Sequence, residues 1–169
     1  MAHRHSLLLT APEAYQAGHL DPGPLPAGVP PEFSDAAAVV SAGLLLGEIL
    51  GVDTADAVQT LEVATRATAL RRETDEDAER LLFDDDLTVL RDTFDAIAAV
   101  AASAVDADGR PAGRAGDRLV QSEHVSLDED GRAFIGTRRI RVADLADRIS
   151  DLVRFLDAAA RNGLLVVTR

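Results

Sequence analysis

Residues 125–142 read VSLDEDGRAFIGTRRIRV, and residues 143–167 read ADLADRISDLVRFLDAAARNGLLVV. This stretch decides the fold class, because its hydrophobic period changes inside it. Val125 and Leu127 alternate with polar residues, the pattern of a half-buried strand. Asp128-Glu129-Asp130-Gly131 is a hairpin turn with glycine where a positive φ is required, so residues 133–135 form the returning strand. A second turn at Gly136-Thr137 leads to Ile140 and Val142, which alternate again. From Ala143 to Arg161 the period becomes helical, with Leu145, Ile149, Leu152, Val153, Leu156 and Ala160 in one stripe. Asn162-Gly163 ends that helix. Leu164–Val167 is a short, continuously apolar run, which fits a strand inside a small sheet.

Outward from this β-β-β-α-β pattern the chain is helical. A helix is expected from Ser34, an N-cap followed by Asp35, to Leu50, with Gly51 as its left-handed C-cap. Val39, Val40, Leu44, Leu45, Leu46, Ile49 and Leu50 cover most of its circumference, so it belongs in a core or an oligomer interface. A second helix, capped at Asp53 or Thr54, is expected to run to Arg72, and a third to start at Thr74 with Ala78, Leu81 and Leu82 inward. Leu87, Leu90, Phe94, Ile97, Ala101 and Val105 continue in a different register, so a break is expected at Asp84-Asp85-Asp86. Residues 6–10 read as an edge strand, 18–31 as an irregular Pro/Gly segment, and 106–117 as a loop bounding two lobes. The expectation is an α+β protein: a helical N-terminal lobe of three to four helices packed on a small, mostly antiparallel sheet with one long C-terminal helix. It divides into an irregular segment 1–33, an acidic helical lobe 34–106, a loop 107–118 and a β-β-β-α-β unit 119–169, together one compact domain.

Composition narrows the function classes. The chain has 169 residues and a net charge of -12, from 29 acidic and 17 basic residues, and every basic side chain is Arg. Without cysteine it has no disulfide, no thiolate nucleophile and no cysteine–metal site. The 30 Ala and 20 Asp fit a GC-rich genome, a salt-adapted surface, or both. Residues 1–118 carry the whole acidic excess, concentrated from Glu73 to Asp95. No apolar run approaches the roughly 20 residues that cross a bilayer, and the three leucines Leu7–Leu9 are too few for a signal peptide. The expected setting is cytoplasmic, with no membrane partner.

Three constellations could carry chemistry. Glu76-x-x-Glu79 and Asp92-x-x-Asp95 place carboxylates at i, i+3 on helices, and Mg²⁺ takes such hard oxygen ligands. The pattern resembles the ExxE…ExxD motif of the all-α nucleoside-triphosphate pyrophosphohydrolases, departing from it at Asp92, where Glu is usual. The resemblance implies two facing helices, Mg²⁺ held by Glu76, Glu79, Asp92 and Asp95, and pyrophosphate release from a nucleoside triphosphate. It requires the chain to reverse near Asp84–Asp86, and it leaves the β-containing third unexplained. The nearby Arg80 and Arg91 neighbour acids at helical spacing, Arg91 standing one turn from Asp95.

The second constellation is the Arg-rich hairpin. Arg132, Arg138, Arg139 and Arg141 occur without an acid between Gly131 and Ala143, with Arg139 and Arg141 outward on one strand face. Such a hairpin could follow nucleic-acid phosphates. The net negative charge, the lack of Lys and the lack of an interleaved aromatic weigh instead for contact with acidic helices of this chain or a neighbouring subunit. The third is Gly43 and Gly47, one turn apart, which allow close backbone approach within the chain or across a homodimer. The four histidines are scattered and define no motif.

The reading these residues favour is a non-catalytic protein–protein interaction or assembly protein, an immunity-type inhibitor or a structural subunit, with no cofactor. Its surfaces would be Asp84, Asp85 and Asp86, Gly43 and Gly47, and Arg139 and Arg141; its partner would be basic, or a second copy. Mg²⁺-dependent nucleotide hydrolysis and nucleic-acid binding are the alternatives. Charge alone yields one expectation. Like charges repel over a Debye length of about 10 Å at 0.1 M salt, so the melting temperature rises from low salt to about 1 M KCl. A thermal melt that is flat or falls with salt would show the acids already compensated.

Overall fold

Local patterns build the elements in the order β1 (Leu7–Thr10), α1 (Pro12–Gln16), β2 (Glu32–Phe33), α2 (Ala36–Ile49), α3 (residues 55–62), β3 (Arg80–Leu82), α4 (Asp84–Ala104), α5 (Gly113–Gln121), β4 (Val125–Leu127), β5 (Ala133–Ile135), β6 (Ile140–Arg141), α6 (Val142–Arg161) and β7 (Leu165–Thr168). These come from a computed structural model that describes residues 6–62, 80–82 and 84–168. The fold is α+β, with the long helix α6 near the end of the chain.

The apolar run at the end of the chain lies inside a sheet, as its composition suggests. The four-stranded antiparallel sheet has the order β2-β1-β7-β3. Leu8 faces Val167 and Leu82 faces Val166 across the ladders. Val166 and Val167 are both fully buried. Consecutive strand residues point to opposite sides, so both faces of β7 are covered. A second antiparallel sheet, β4-β5-β6, is the hairpin pair read from residues 125–142. At its first turn the Asp128 carboxylate accepts from the Asp130 and Arg132 amides, at 3.0 and 2.8 Å, and Gly131 takes φ 81°.

Several expectations need correction. Residues 6–10 are no edge strand: β1 lies between β2 and β7, which fits three consecutive leucines better than an edge position does. Leu81 and Leu82 are in β3, not in a helix, because the edge of β7 opposite β1 supplies a hydrogen-bonded ladder. The break at the three Asp is the boundary between β3 and α4, and the expected helix start at Thr74 lies outside the described residues. Residues 106–117 are no plain loop. The Asp106 carboxylate accepts from the Asp108 and Arg110 amides, and α5 begins at Gly113 with Gly116 and Leu119 buried. Glycine at 116 is what the contact needs, since a Cβ there would lie 2.7 Å from the Pro111 carbonyl carbon. β7 joins the sheet of β1 rather than that of β4–β6, and Val142 opens α6 instead of extending β6.

The described residues divide into two compact units. One draws on residues 1–37, 55–91 and 152–169, the other on 38–54 and 92–151. The first contains the four-stranded sheet, with the Phe33 and Phe155 rings tilted at a centroid distance of 5.8 Å. The second contains the β4–β6 sheet and the packing on α2. There Gly43 faces Phe94 and Ile149, and Gly47 faces Ile97 and Thr54. The α2 C-terminus closes with the Val52 amide donating to the Gly47 carbonyl at 2.8 Å and the Gly51 amide to that of Glu48 at 3.2 Å, Gly51 at φ 79°. This paired closure satisfies carbonyls that a helix end otherwise leaves open. Arg118 adds a third bond, its Nη1 donating to the Leu50 carbonyl at 2.7 Å, where a side chain on Gly51 would run into the guanidinium.

The two helical glycines have different tolerances. A Cβ at 47 would lie 2.7 Å from the buried Ile97 Cδ1, whereas one at 43 would lie 3.0 Å from Phe94 and 3.3 Å from Ile149. Overpacking costs about 1–3 kcal/mol, and the gain in helix propensity returns about 1 kcal/mol. Gly47→Ala is therefore expected to lose up to about 2 kcal/mol in urea denaturation, and Gly43→Ala to change stability far less. Equal losses at both sites would show that Ile97 yields as easily as Phe94.

Candidate functional site

Helix α4 carries Asp85, Asp92 and Asp95 on the side away from the core. Leu87, Leu90, Phe94, Ile97, Ala101 and Ala104 are buried at helical spacing. Asp84, Asp85 and Asp86 occupy its first turn, where the helix dipole favours negative charge. Asp85, Asp92 and Asp95 are exposed and share one face, being two turns and then one turn apart. Glu76 and Glu79 lie outside the described residues. The chain just before Asp84 is β3, so the helix expected to run through Leu82 toward a hairpin is replaced there by a strand. Among the described residues no group of three or more His, Asp or Glu side chains is placed to hold a metal ion.

Arg91 reaches beyond its own helix. Its Nη1 lies 3.1 Å from Asp157 Oδ1, and Arg161 Nε lies 2.8 Å from Asp157 Oδ2. Asp157 thus ties α4 to the end of α6 within one unit. These pairs are partly exposed, so each contributes on the order of 0.2–1 kcal/mol.

The Arg hairpin has more order than its sequence suggests. Phe134 and Arg141 are direct cross-strand partners, with Ser126 opposite Phe134 on the other side. Ala133, Ile135 and Val142 are buried on the inner side, which leaves Phe134 facing outward and half-buried. The Arg139 guanidinium carbon sits 5.0 Å, and that of Arg141 5.9 Å, from the Phe134 ring centroid. Both distances are within cation–π range. The expectation of no interleaved aromatic is therefore corrected: Phe134 stands seven residues before Arg141, and only the register across the turn brings them together. Arg139 is not on a strand. It takes φ 51° in the turn, its amide donating to the Gly136 carbonyl at 3.3 Å. Arg138, Arg139 and Arg141 are all exposed. Among the described residues none of the three has a carboxylate within 4.0 Å.

The glycine row is occupied from within the chain. The space over Gly43 and Gly47 is filled by Phe94, Ile97 and Ile149. What remains of α2's apolar surface is a half-buried strip of Val40, Leu44, Leu45 and Ile49. Among the described residues no helix is long and apolar enough to cross a membrane. No family model matches this chain, and neither the curated proteins nor the solved structures compared with it give a match.

Proposed function

We propose that this chain is a non-catalytic protein–protein interaction or assembly protein of the cytoplasm, which engages a basic partner through the acidic face of α4. The observation that carries this reading is the division of α4. Its inner side is packed with leucine, phenylalanine and isoleucine, and its outer side presents Asp85, Asp92 and Asp95 in register. Ordered on a rigid helix, carboxylates lose little further freedom on meeting guanidinium or ammonium groups, and opposite charge speeds encounter. An immunity-type inhibitor of a basic protein and a subunit of a larger assembly both use such a face.

The test uses a nine-residue oligo-arginine peptide as a minimal basic partner. Binding at low salt is expected, weakening steeply as salt rises. Exposed pairs contribute about 0.2–1 kcal/mol each, so the combined Asp85→Asn, Asp92→Asn, Asp95→Asn variant should bind roughly 3- to 150-fold more weakly. Unchanged affinity in that variant would remove the α4 face from consideration. Mg²⁺-dependent pyrophosphate release from a panel of nucleoside triphosphates, lost in Asp92→Asn, would replace the interaction reading with an enzymatic one.

A further inference from the structure

We infer that the Phe134–Arg139–Arg141 platform docks onto the Asp92–Asp95 face of α4 in a second copy of this chain. The inference rests on the proposed interaction role of α4 and names its partner. Three observations support it. First, Arg138, Arg139 and Arg141 are exposed with no carboxylate within 4.0 Å among the described residues, in a protein with 29 acidic residues. Second, the Phe134 ring holds two of the guanidinium groups at 5.0 and 5.9 Å from its centroid, so they are positioned before any partner arrives. Preorganised groups give up less freedom on binding. Third, the chain itself presents the complementary charge: Asp92 and Asp95 are exposed and, at i, i+3 on a helix, stand about 5–6 Å apart at Cβ.

A nucleic-acid strand is the competing anion, and one feature counts against it. Arg139 and Arg141 already occupy the ring on which a base would stack. A two-fold arrangement makes the contact twice, hairpin to helix and helix to hairpin, which closes the pair.

The experiment is a charge exchange read by sedimentation and light scattering at low and high salt. One variant carries Arg139→Asp and Arg141→Glu, with Asp chosen because it tolerates the positive φ at 139. The other carries Asp92→Arg and Asp95→Arg. Far-ultraviolet circular dichroism confirms that each is folded. The wild-type chain is expected to self-associate, with a dissociation constant that rises about tenfold or more for each variant alone. An equimolar mixture of the two should regain wild-type association, because each reversed surface then finds its complement. Two outcomes overturn the inference: a wild-type chain that stays monomeric at high micromolar concentration, or variants that associate as the wild type does. Binding of a fluorescent oligothymidylate that disappears in the Arg139→Asp, Arg141→Glu variant also overturns it, in favour of nucleic acid. Oligo-arginine binding to α4 separates the two readings, since it persists if only the self-docking is wrong.

Discussion

Side chains of α4 and α6 rest directly on the backbone of α2, and the packing of that unit depends on this contact. It is possible only because residues 43 and 47 are glycine, which lets Phe94, Ile97 and Ile149 occupy the volume where two Cβ atoms would be. The chain has five Phe, one Tyr and no Trp. With so few large rings, the core is filled by leucine, isoleucine, valine and alanine, and dense packing then comes from close approach rather than bulk. The cost of two mid-helix glycines, about 1 kcal/mol each, is offset by that contact. The same helix ends in a paired carbonyl closure at Gly51 that Arg118 completes, so its C-terminus is satisfied as well as its flank.

Charge is sorted by the fold as strictly as bulk is. Asp85, Asp92 and Asp95 of α4 face outward because the opposite positions are committed to the core, and the arginines of the β5–β6 turn face outward for the same reason, their neighbours Ile135 and Val142 being buried. Each surface is held by a different device. The carboxylates sit on a helix whose first turn welcomes negative charge; the guanidinium groups lie over an aromatic ring. Among the described residues this small basic platform stands clear of the acids.

Much of this architecture was legible in the residues. The hairpin at Asp128–Gly131, the stripe of α6, the C-cap at Gly51 and the internal position of the final strand all follow from local pattern, because each involves neighbours in sequence. What escaped depends on distant partners. Three residues at β3 have no period to read, and only pairing with β7 makes them a strand. In α5 the glycines at 113 and 116 imitate a loop, while the reason for Gly116 is a backbone 2.7 Å away that the sequence does not reveal. Val153 belongs to the expected α6 stripe, yet Phe155 is fully buried and it is only half so, because the Phe33 ring gives Phe155 its partner. At the candidate site the acids were found by composition alone; the ring beneath the arginines required the register Phe134–Arg141.

The position of β7 has a consequence for how the chain reaches this state. Strand β5 finds β4 across the short turn at Asp128–Gly131, but β7 must find β1 with Leu7 opposite Thr168 and Thr10 opposite Leu165. Loop-closure entropy grows by about 0.6 kcal/mol per doubling of length, so the longer search carries roughly 3 kcal/mol more before any ladder bond forms. The four-stranded sheet is thus the slow, non-local half of the topology, and the Arg-bearing hairpin the fast, local half. Until β7 arrives, the leucines of β1 have only the two residues of β2 beside them, an unpaired strand edge of the kind that invites wrong association.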